Sequence, residues 1–252
     1  MKKIKNSIKS HKKYTQGKGK YTHPPLLFSQ GFYIFEKINE ILKQKYKYKK
    51  NKIIKILDLG CAQGAGSFFA LREFNPKLVV GVDNDHEAIK IAKQSRKRKN
   101  INKIKFIRND IFDFTKKNKH KFQLIVANGV LPYLLSQQKL SRVFSYINNS
   151  LSDNGVFCFS MFSSNEPFKL KTSIKDISSF SPNNKYNQFA LIINIKDLIN
   201  IINKNNLSLY NDTFTYQKRF NIDLKLKNKN NLKADSNFSY FFVIKKDLYS
   251  LL

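Results

Sequence analysis

Several residue types are scarce in this chain of 252 residues, and each scarcity excludes a class of protein. The only two cysteines, Cys61 and Cys158, lie far apart and lack metal-ligand spacing, so neither a disulfide framework nor a zinc site is predicted. No apolar run approaches the ~18 residues that a membrane-crossing helix needs. The Lys-rich start also lacks the apolar stretch of a secretory signal. We therefore expect a soluble, cytoplasmic protein with no metal site and no membrane partner.

Acidic residues are also few, because 17 Asp and Glu stand against 47 Lys and Arg, which gives a formal net charge of +30. Such a charge ordinarily indicates a polyanionic partner such as nucleic acid. Most of the basic residues are Lys, however, and Asn and Ile are abundant throughout, which is the bias that an AT-rich genome gives to any surface. Phosphate recognition tends to recruit Arg instead. We interpret the charge as mainly compositional, and nucleic acid as a partner that is not excluded but not favoured.

The pattern of apolar residues predicts an α/β fold. From Ile53 onwards, short apolar runs alternate with segments of helical periodicity, which is typical of βαβ units and a parallel sheet. Five strands are predicted at Ile53–Asp58, Leu78–Asp83, Ile104–Arg108, Phe122–Ala127 and Val156–Met161. Three helices are predicted at Gly64–Phe74, Asp85–Lys99 and Gln137–Leu151, with a turn at Asp153-Asn154-Gly155 after the third.

The C-terminal part of the chain predicts two further strands. A helix is expected near Lys196 to Asn205, and the apolar runs Leu207–Tyr216 and Phe238–Ile244 predict an antiparallel hairpin that closes the sheet edge. The predicted fold is therefore a mostly parallel seven-stranded sheet flanked by helices. We divide this domain, residues 28–252, into a core at 53–162, an insertion at 163–190, and a C-terminal helix and hairpin at 195–246.

Residues 1–27 form a separate basic segment in this prediction. Residues 1–20 carry eight Lys and no Asp or Glu. After Pro24-Pro25, apolar residues recur at helical spacing and predict a helix that packs on the main sheet: Phe28, Phe32, Phe35, Ile38 and Leu42. Because Gly17 and Gly19 would allow a hinge, we expect residues 14–29 to form a lid over the strand ends. The alternative is a Lys-rich tail without fixed structure.

The most informative segment runs from Ile56 to Gly66, where a strand enters a glycine-rich turn that opens a helix. Glycine lets a ligand approach the backbone closely, and the helix N-terminus supplies free N–H groups and a positive dipole. A dinucleotide site is disfavoured, because Asp58 just before the turn would repel a pyrophosphate. The glycine spacing also fails, since Gly60 would need glycines at positions 62 and 65, where the chain has Ala. The alternative is a tight turn without a ligand.

The segment from Asp58 to Gly64 resembles motif I of the class I S-adenosylmethionine (SAM)-dependent methyltransferases, which reads D-x-G-x-G-x-G after a hydrophobic strand. Here Ala62 replaces the middle glycine. The resemblance extends over roughly residues 53–161, and it implies a Rossmann-like fold, SAM as the cofactor and methyl transfer as the activity. It also implies that four residues of motif I bind SAM, namely Asp58, Gly60, Ala62 and Gly64. Asp58 would lie on the side of the SAM ammonium and sulfonium groups.

Three later strand ends resemble further motifs of the same family. Asp83 resembles the acid that takes both ribose hydroxyls, and Asn84 follows as a second contact. Asp110 resembles the acid that receives the adenine amino group, while Ile111 would pack on the ring. Asn128 ends the strand that faces the transferred methyl group, and the resemblance makes it the last of the predicted SAM-binding residues. An Asp at a strand end is often only the N-cap of the next helix, but one acid follows each of the first three strands of a chain that has few acids.

Methyl transfer depends mainly on alignment and on exclusion of water, and it needs a base only if the attacking atom carries a proton. The candidates for a base or an orienting group are Tyr21 and His23, ahead of the first helix, and Tyr133, past the fourth strand. Each of the three could instead be a hydrogen-bonded structural residue.

The acceptor can be narrowed mostly by missing motifs. After the fourth strand the chain reads Asn128-Gly129-Val130-Leu131 in place of Asn-Pro-Pro-Tyr, which disfavours methylation of adenine or glutamine nitrogen. Cys61 lies in the SAM loop, so cytosine C5 chemistry has no cysteine nucleophile. We favour O-, N- or S-methylation of a small molecule. One alternative is an RNA methyltransferase, favoured by the Lys-rich N-terminus and by the basic stretch at 95–99. Another is a non-catalytic SAM-binding subunit, and the oligomeric state stays open.

Overall fold

A central sheet is formed by the short runs of branched and aromatic residues that the sequence places between its helices. The computed structural model describes residues 54–162, 177–180, 188–191, 193–210 and 238–246, with the helical residues 35, 38 and 39. Within these residues seven strands form one sheet in the order β3-β2-β1-β4-β5-β9-β8. Its strands are β1 Lys55–Leu59, β2 Leu78–Asp83, β3 Ile104–Arg108, β4 Phe122–Ala127, β5 Leu151–Phe162, β8 Leu207–Leu209 and β9 Phe238–Lys245.

Helices connect the strands and cover both faces of the sheet. They are α1 Ala65–Phe74, α2 His86–Arg98, α3 Ile111–Lys117, α4 Gln137–Ser150 and α5 Ile195–Lys204, with a short 3-10 helix at Leu131–Leu134. None of the helices in the described ranges is long and apolar enough to span a bilayer. Strands β1 to β5 are parallel, whereas β9 is antiparallel to both β5 and β8. The predicted α/β fold is confirmed, and the two C-terminal strands pair antiparallel as expected. Strand β8 ends at Leu209, and residues 211–216 of the predicted strand lie outside the described residues.

Three local features differ from the prediction. The turn predicted at residues 153–155 lies inside β5, where a bulge separates the pair Phe122–Leu151 from the pair Leu124–Val156. Residues 152–155 of β5 have no register partner in β4, and Asp153 is exposed. Helix α3 is absent from the prediction, because seven residues are too few to show a helical period. The predicted insertion contains a small antiparallel sheet of β6 Ile177–Phe180 and β7 Gln188–Leu191.

Alternation along β1 assigns its side chains to two cores on opposite faces of the sheet. Ile56 packs with α1, α2 and the N-terminal helix, while Leu57 packs with α3, α4 and α5. Phe35 and Ile38 are 2% and 0% exposed, which places the N-terminal helix on the sheet. The amide of Asn39 also donates to the Glu73 carboxylate in α1. The other members of that predicted apolar face, Phe28, Phe32 and Leu42, lie outside the described residues.

An aromatic cluster joins α4, β5 and β9. The ring centroid of Phe144 lies 5.8 Å from that of Phe157 and 5.2 Å from that of Phe159, both in edge-to-face geometry. Phe159 in turn stacks on Phe241 of β9 at 5.1 Å. Because these two residues are also direct partners in the strand register, the stack fixes the pairing of β9 with β5.

Replacing Phe144 with Ala should lower the free energy of unfolding by about 3–5 kcal/mol, because a fully buried ring is replaced by a cavity. Urea denaturation followed by circular dichroism measures this change. The matched control is Ile91→Ala on α2, since Ile91 is 39% exposed and its truncation should change stability by no more than about 0.5 kcal/mol. Equal losses in both variants would contradict the role assigned to the aromatic cluster.

Candidate functional site

The predicted site residues lie at one edge of the sheet, because parallel strands end on the same side. The register pairs Asp58 of β1 with Val126 of β4, and it pairs Asp83 of β2 with Arg108 of β3. The loops that follow β1, β2, β3 and β4 therefore start next to one another. Ligands of open parallel sheets bind at this edge.

The glycines of the loop after β1 are required by backbone conformation and by close packing. Gly60 and Gly64 have φ of 68° and 88°, in the left-handed region. A Cβ on Gly60 would lie 2.1 Å from a methyl group of Val130, and one on Gly64 would lie 2.5 Å from the ring of Phe106. The N–H of Gly60 donates to Val82 O at 2.7 Å, so the loop is fixed to β2 as well as to the turn after β4.

Ala62 also adopts a left-handed conformation, with φ of 46°. This conformation costs an L-residue about 1–2 kcal/mol, whereas glycine adopts it freely. The N–H of Ala62 donates to Asp83 Oδ2 at 2.8 Å, and this charged hydrogen bond offsets the cost. Ala62 therefore keeps a backbone conformation that glycine adopts more readily.

Asp83 connects two loops of the site. Its Oδ2 accepts from Ala62, and its Oδ1 accepts from the backbone N–H of Asp85 at 2.9 Å. Burial raises the pKa of Asp83, and these backbone N–H groups lower it in part. A carboxylate oxygen has two acceptor positions, so each oxygen can still accept from a ligand hydroxyl. Asn84 is exposed, and its carbonyl accepts from the Arg108 guanidinium at 3.4 Å.

Asp85 has a role that the sequence prediction missed, although an Asp just before a helix is an N-cap signal. Its Oδ1 accepts from Ala88 N at 3.0 Å and caps α2. Its Oδ2 is buried and lacks a hydrogen-bond partner among the described residues. The start of α2 therefore places a second buried carboxyl group beside Asp83.

Asp58 is buried at the end of β1 and directed at the start of α1. Its Oδ2 accepts from Ser67 Oγ at 2.7 Å, a contact that the sequence prediction also missed. Burial raises the pKa of Asp58 to about 7; the Ser67 bonds lower it, and the charge of Asp83 raises it further. The first turn of α1 contains no acidic residue, so Asp58 is the acid placed at this helix end, and its ionised form complements the helix dipole.

The thiol of Cys61 shares this environment. Burial raises the pKa of Cys61 well above its ordinary value, and the charges of Asp58 and Asp83 act in the same direction. The thiol therefore remains protonated and is a poor nucleophile.

The residues after β3 form a helix cap. Asp110 is exposed, and its Oδ1 accepts from Phe112 N at 2.7 Å, which caps α3. Ile111 is half-buried and packs against the core. Asp110 is therefore the N-cap of α3, which was the alternative interpretation of this residue. Because Asp110 is exposed, its other carboxylate oxygen lies at the protein surface, at the sheet edge where the strands end.

The turn after β4 is held by a serine that the sequence prediction also missed. Ser160 on β5 is fully buried; its Oγ accepts from Gly129 N at 2.7 Å and lies 3.2 Å from Asn128 Oδ1. The available signal was a single hydroxyl in the otherwise apolar run of residues 156–161. Asn128 lies two residues beyond Val126, the register partner of Asp58.

The structure describes only one of the three candidate catalytic residues. Tyr133 lies half-buried on the 3-10 helix after β4. Tyr21 and His23 lie outside the described residues, as does the whole predicted lid. In the described part of the chain, no group of three His, Cys, Asp or Glu side chains is arranged to hold a metal ion.

Comparison with known proteins identifies relatives of the chain. A family model described as a methyltransferase domain matches residues 50–221. Over 152 residues the chain is 27% identical to malonyl-[acyl-carrier protein] O-methyltransferase 2 of Ilyobacter polytropus, which covers 60% of the chain and 54% of that protein. It is 32% identical over 122 residues to the release factor glutamine methyltransferase of Buchnera aphidicola, covering 48% and 42% respectively. The chain thus spans about half the length of these relatives.

A solved structure with low sequence identity has a similar fold. It is the 1,6-didemethyltoxoflavin-N1-methyltransferase of Burkholderia thailandensis, with bound 1,6-didemethyltoxoflavin and S-adenosylhomocysteine. The TM-score is 0.60 and the identity 12%, covering 97% of this chain and 90% of that one.

The raised pKa of Asp58 predicts that stability depends on pH. An unfolded Asp releases its proton near pH 3.8, whereas the folded protein retains it until about pH 7. The stability contributed by protonated Asp58 is therefore complete below pH 3.8 and is lost as pH rises to about 7. A shift of about three units corresponds to about 4 kcal/mol at most.

Asp58→Asn should remove this part of the pH dependence, and urea denaturation at intervals from pH 4 to pH 8 measures it. Asp113→Asn is the control, because Asp113 is exposed on α3 and its replacement should leave the wild-type slope. If the Asp58→Asn protein and the wild type show parallel curves, then Asp58 is ionised throughout this range.

Proposed function

The chain belongs to the methyltransferase domain family, and from that premise we propose that it transfers a methyl group from SAM to an oxygen, nitrogen or sulfur atom of a small molecule. One observation carries the proposal. The left-handed loop after β1 is flanked by the carboxylates of Asp58 and Asp83, and neither has an ion-pair partner among the described residues. Uncompensated carboxylates beside such a loop favour a ligand with positive charge.

The residues present fit SAM. Each Asp83 oxygen keeps an acceptor position that suits a ribose hydroxyl. Asp58 is 4% exposed and bonded to Ser67, so it acts on a cationic ligand through its charge and through the loop that it fixes. Ile111 is half-buried beside the end of β3, where it could contact an adenine ring. These assignments, together with those of Asn84, Asp110 and Asn128, rest on the position of each residue at the sheet edge.

When bound, SAM supplies a methyl group on a positively charged sulfur, and the acceptor's lone pair takes that group while the C–S bonding pair remains on sulfur. The chain's residues contribute alignment and exclusion of water. Val130 packs on Gly60, so the turn after β4 and the loop after β1 form one continuous wall. An acceptor that loses a proton needs a base, for which Tyr133 on the 3-10 helix and His23 and Tyr21 in the predicted lid stay candidates.

A small-molecule acceptor is supported by the segment Asn128-Gly129-Val130-Leu131, which departs from the Asn-Pro-Pro-Tyr pattern. The Burkholderia enzyme shows that this fold can accept a small molecule, while the two sequence relatives act on carrier-bound malonyl groups and on release factors. The lid at residues 1–27, the extent of the domain over 28–252 and a cytoplasmic location stay predictions from the sequence.

Asp83→Ala should weaken SAM binding by about 1.5–3 kcal/mol, because a charged acceptor for the ribose hydroxyls is removed. Isothermal titration calorimetry with SAM measures this loss, and thermal denaturation confirms that the variant is folded. Asp113→Ala provides the control, since this exposed carboxylate on α3 should have no effect. An unchanged affinity for Asp83→Ala would remove Asp83 from the cofactor site.

A second candidate function, RNA methylation, is favoured by one surface feature. Residues 90–105 contain eight Lys and Arg and no acid. Four of these basic residues line a groove of about 510 Å³ between α2 and β3, namely Lys93, Arg96, Lys97 and Lys105. Gln94, Phe106 and Ile107 complete its lining. Two observations weigh against a phosphate site. The Arg96 guanidinium donates to Ile104 O at 3.1 Å, and cations in the last turn of α2 also complement its dipole.

We expect RNA binding to be weak, nonspecific and steeply dependent on salt, because the charge is mainly compositional. The affinity for RNA is measured by fluorescence anisotropy in about 50 mM and about 200 mM salt. The probe is a labelled single-stranded RNA of about 20 nucleotides. The variant Lys93→Gln/Lys97→Gln/Lys105→Gln should bind only slightly less than wild type at low salt. Sequence-specific binding that survives 200 mM salt and is lost in this variant would rank RNA above small molecules.

A further inference from the structure

The contact between Ser160 and the turn after β4 determines which atoms that turn can offer to a ligand. Ser160 is 0% exposed, and Ser160 Oγ lies 2.7 Å from Gly129 N and 3.2 Å from Asn128 Oδ1. Both partners belong to the same turn. A single side chain on β5 therefore fixes a backbone N–H and a side-chain amide at the edge where the proposed methyl transfer takes place.

The hydrogen-bond donors and acceptors around Ser160 determine the orientation of the Asn128 amide. A backbone N–H can only donate, so Ser160 Oγ is the acceptor of the bond from Gly129. The Ser160 hydroxyl proton is fully buried and needs an acceptor of its own, because an unsatisfied buried donor costs about 1–3 kcal/mol. Asn128 Oδ1 is the oxygen within reach. The reversed amide would direct an N–H at Ser160 and leave the hydroxyl proton without this acceptor.

With Oδ1 occupied, the amide NH2 of Asn128 is directed away from Ser160. Among the described residues this NH2 group has no acceptor, and Asn128 is only half-buried. The described part of the chain also leaves space beside the turn, since a Cβ built on Gly129 would have none of its atoms within 4 Å. The turn therefore offers two N–H donors to whatever binds beside it.

We propose that Ser160 is a positioning residue that presents the amide NH2 of Asn128 to the methyl acceptor. The acceptor then carries a hydrogen-bond-accepting group, such as a carboxylate or carbonyl oxygen, next to the atom that is methylated. The proposal rests on the proposed function, because it takes the space beside Gly129 as the acceptor side of the SAM site. It narrows the substrate class to molecules that accept a hydrogen bond from a neutral amide.

The test follows the side-chain amide signals of Asn128 by 15N–1H NMR. The signals are assigned by their absence in Asn128→Asp, and the protein is saturated with S-adenosylhomocysteine. Benzoate and benzylammonium serve as probes of similar size, because benzoate accepts hydrogen bonds and benzylammonium only donates them. Benzoate should shift the Asn128 amide signals in a saturable way, and benzylammonium should not.

Two substitutions of Ser160 distinguish a role in orienting the Asn128 amide from a purely structural role. Ser160→Ala should weaken the benzoate response by about fivefold, because the amide loses its preferred orientation. Affinity for S-adenosylhomocysteine should be retained within about twofold. Ser160→Thr keeps the hydroxyl and should restore the response. An equal response to both probes, no response to benzoate, or an undiminished response in Ser160→Ala would overturn the proposal.

Calorimetry with S-adenosylhomocysteine on the wild-type protein separates this result from the proposed function. Absent binding would count against the SAM site itself, and the proposal would fail with it. Binding without a selective benzoate response would leave the proposed function standing and overturn only the inference about Asn128 and Ser160.

Discussion

The site is organised around the carboxylate of Asp83, on which the geometry of two loops depends. Its oxygens accept from Ala62 N and Asp85 N, so one side chain joins the loop after β1 to the start of α2. Without the Asp83 carboxylate, no hydrogen bond to its Oδ2 would offset the cost of the left-handed conformation of Ala62. The conformation of the loop after β1 is therefore set by a residue on the neighbouring strand.

This arrangement keeps negative charge where burial disfavours it. Asp58 is buried and Asp83 is half-buried, and the charge of Asp83 adds to the rise in the pKa of Asp58. Such groups are destabilising unless a partner compensates them. The folded protein thus tolerates an electrostatic cost at the carboxyl edge of its sheet, and a cationic ligand would relieve that cost.

The fold and the family were predictable because they depend on local patterns, whereas the contacts within the site depend on register. Alternating apolar runs located the strands, and the family prediction from Asp58 and its glycines is confirmed. Helix α3 was missed because its seven residues are defined mainly by their cap, Asp110. The contact from Ser160 to Asn128 joins residues 32 positions apart, which no spacing rule of a single sequence reveals. The predicted roles of the SAM-binding residues stay predictions.

The position of β9 has a consequence for how the chain folds. This strand comes last among the described elements, yet it lies between β5 and β8, and its register pairs Val156 with Ile244. Until residues 238–245 are synthesised, β5 has an open edge that includes the buried apolar residues Phe157 and Phe159. Pairing over such a sequence distance is slow, and an open apolar edge favours aggregation. Nascent chains should therefore need protection at β5 until synthesis passes β9.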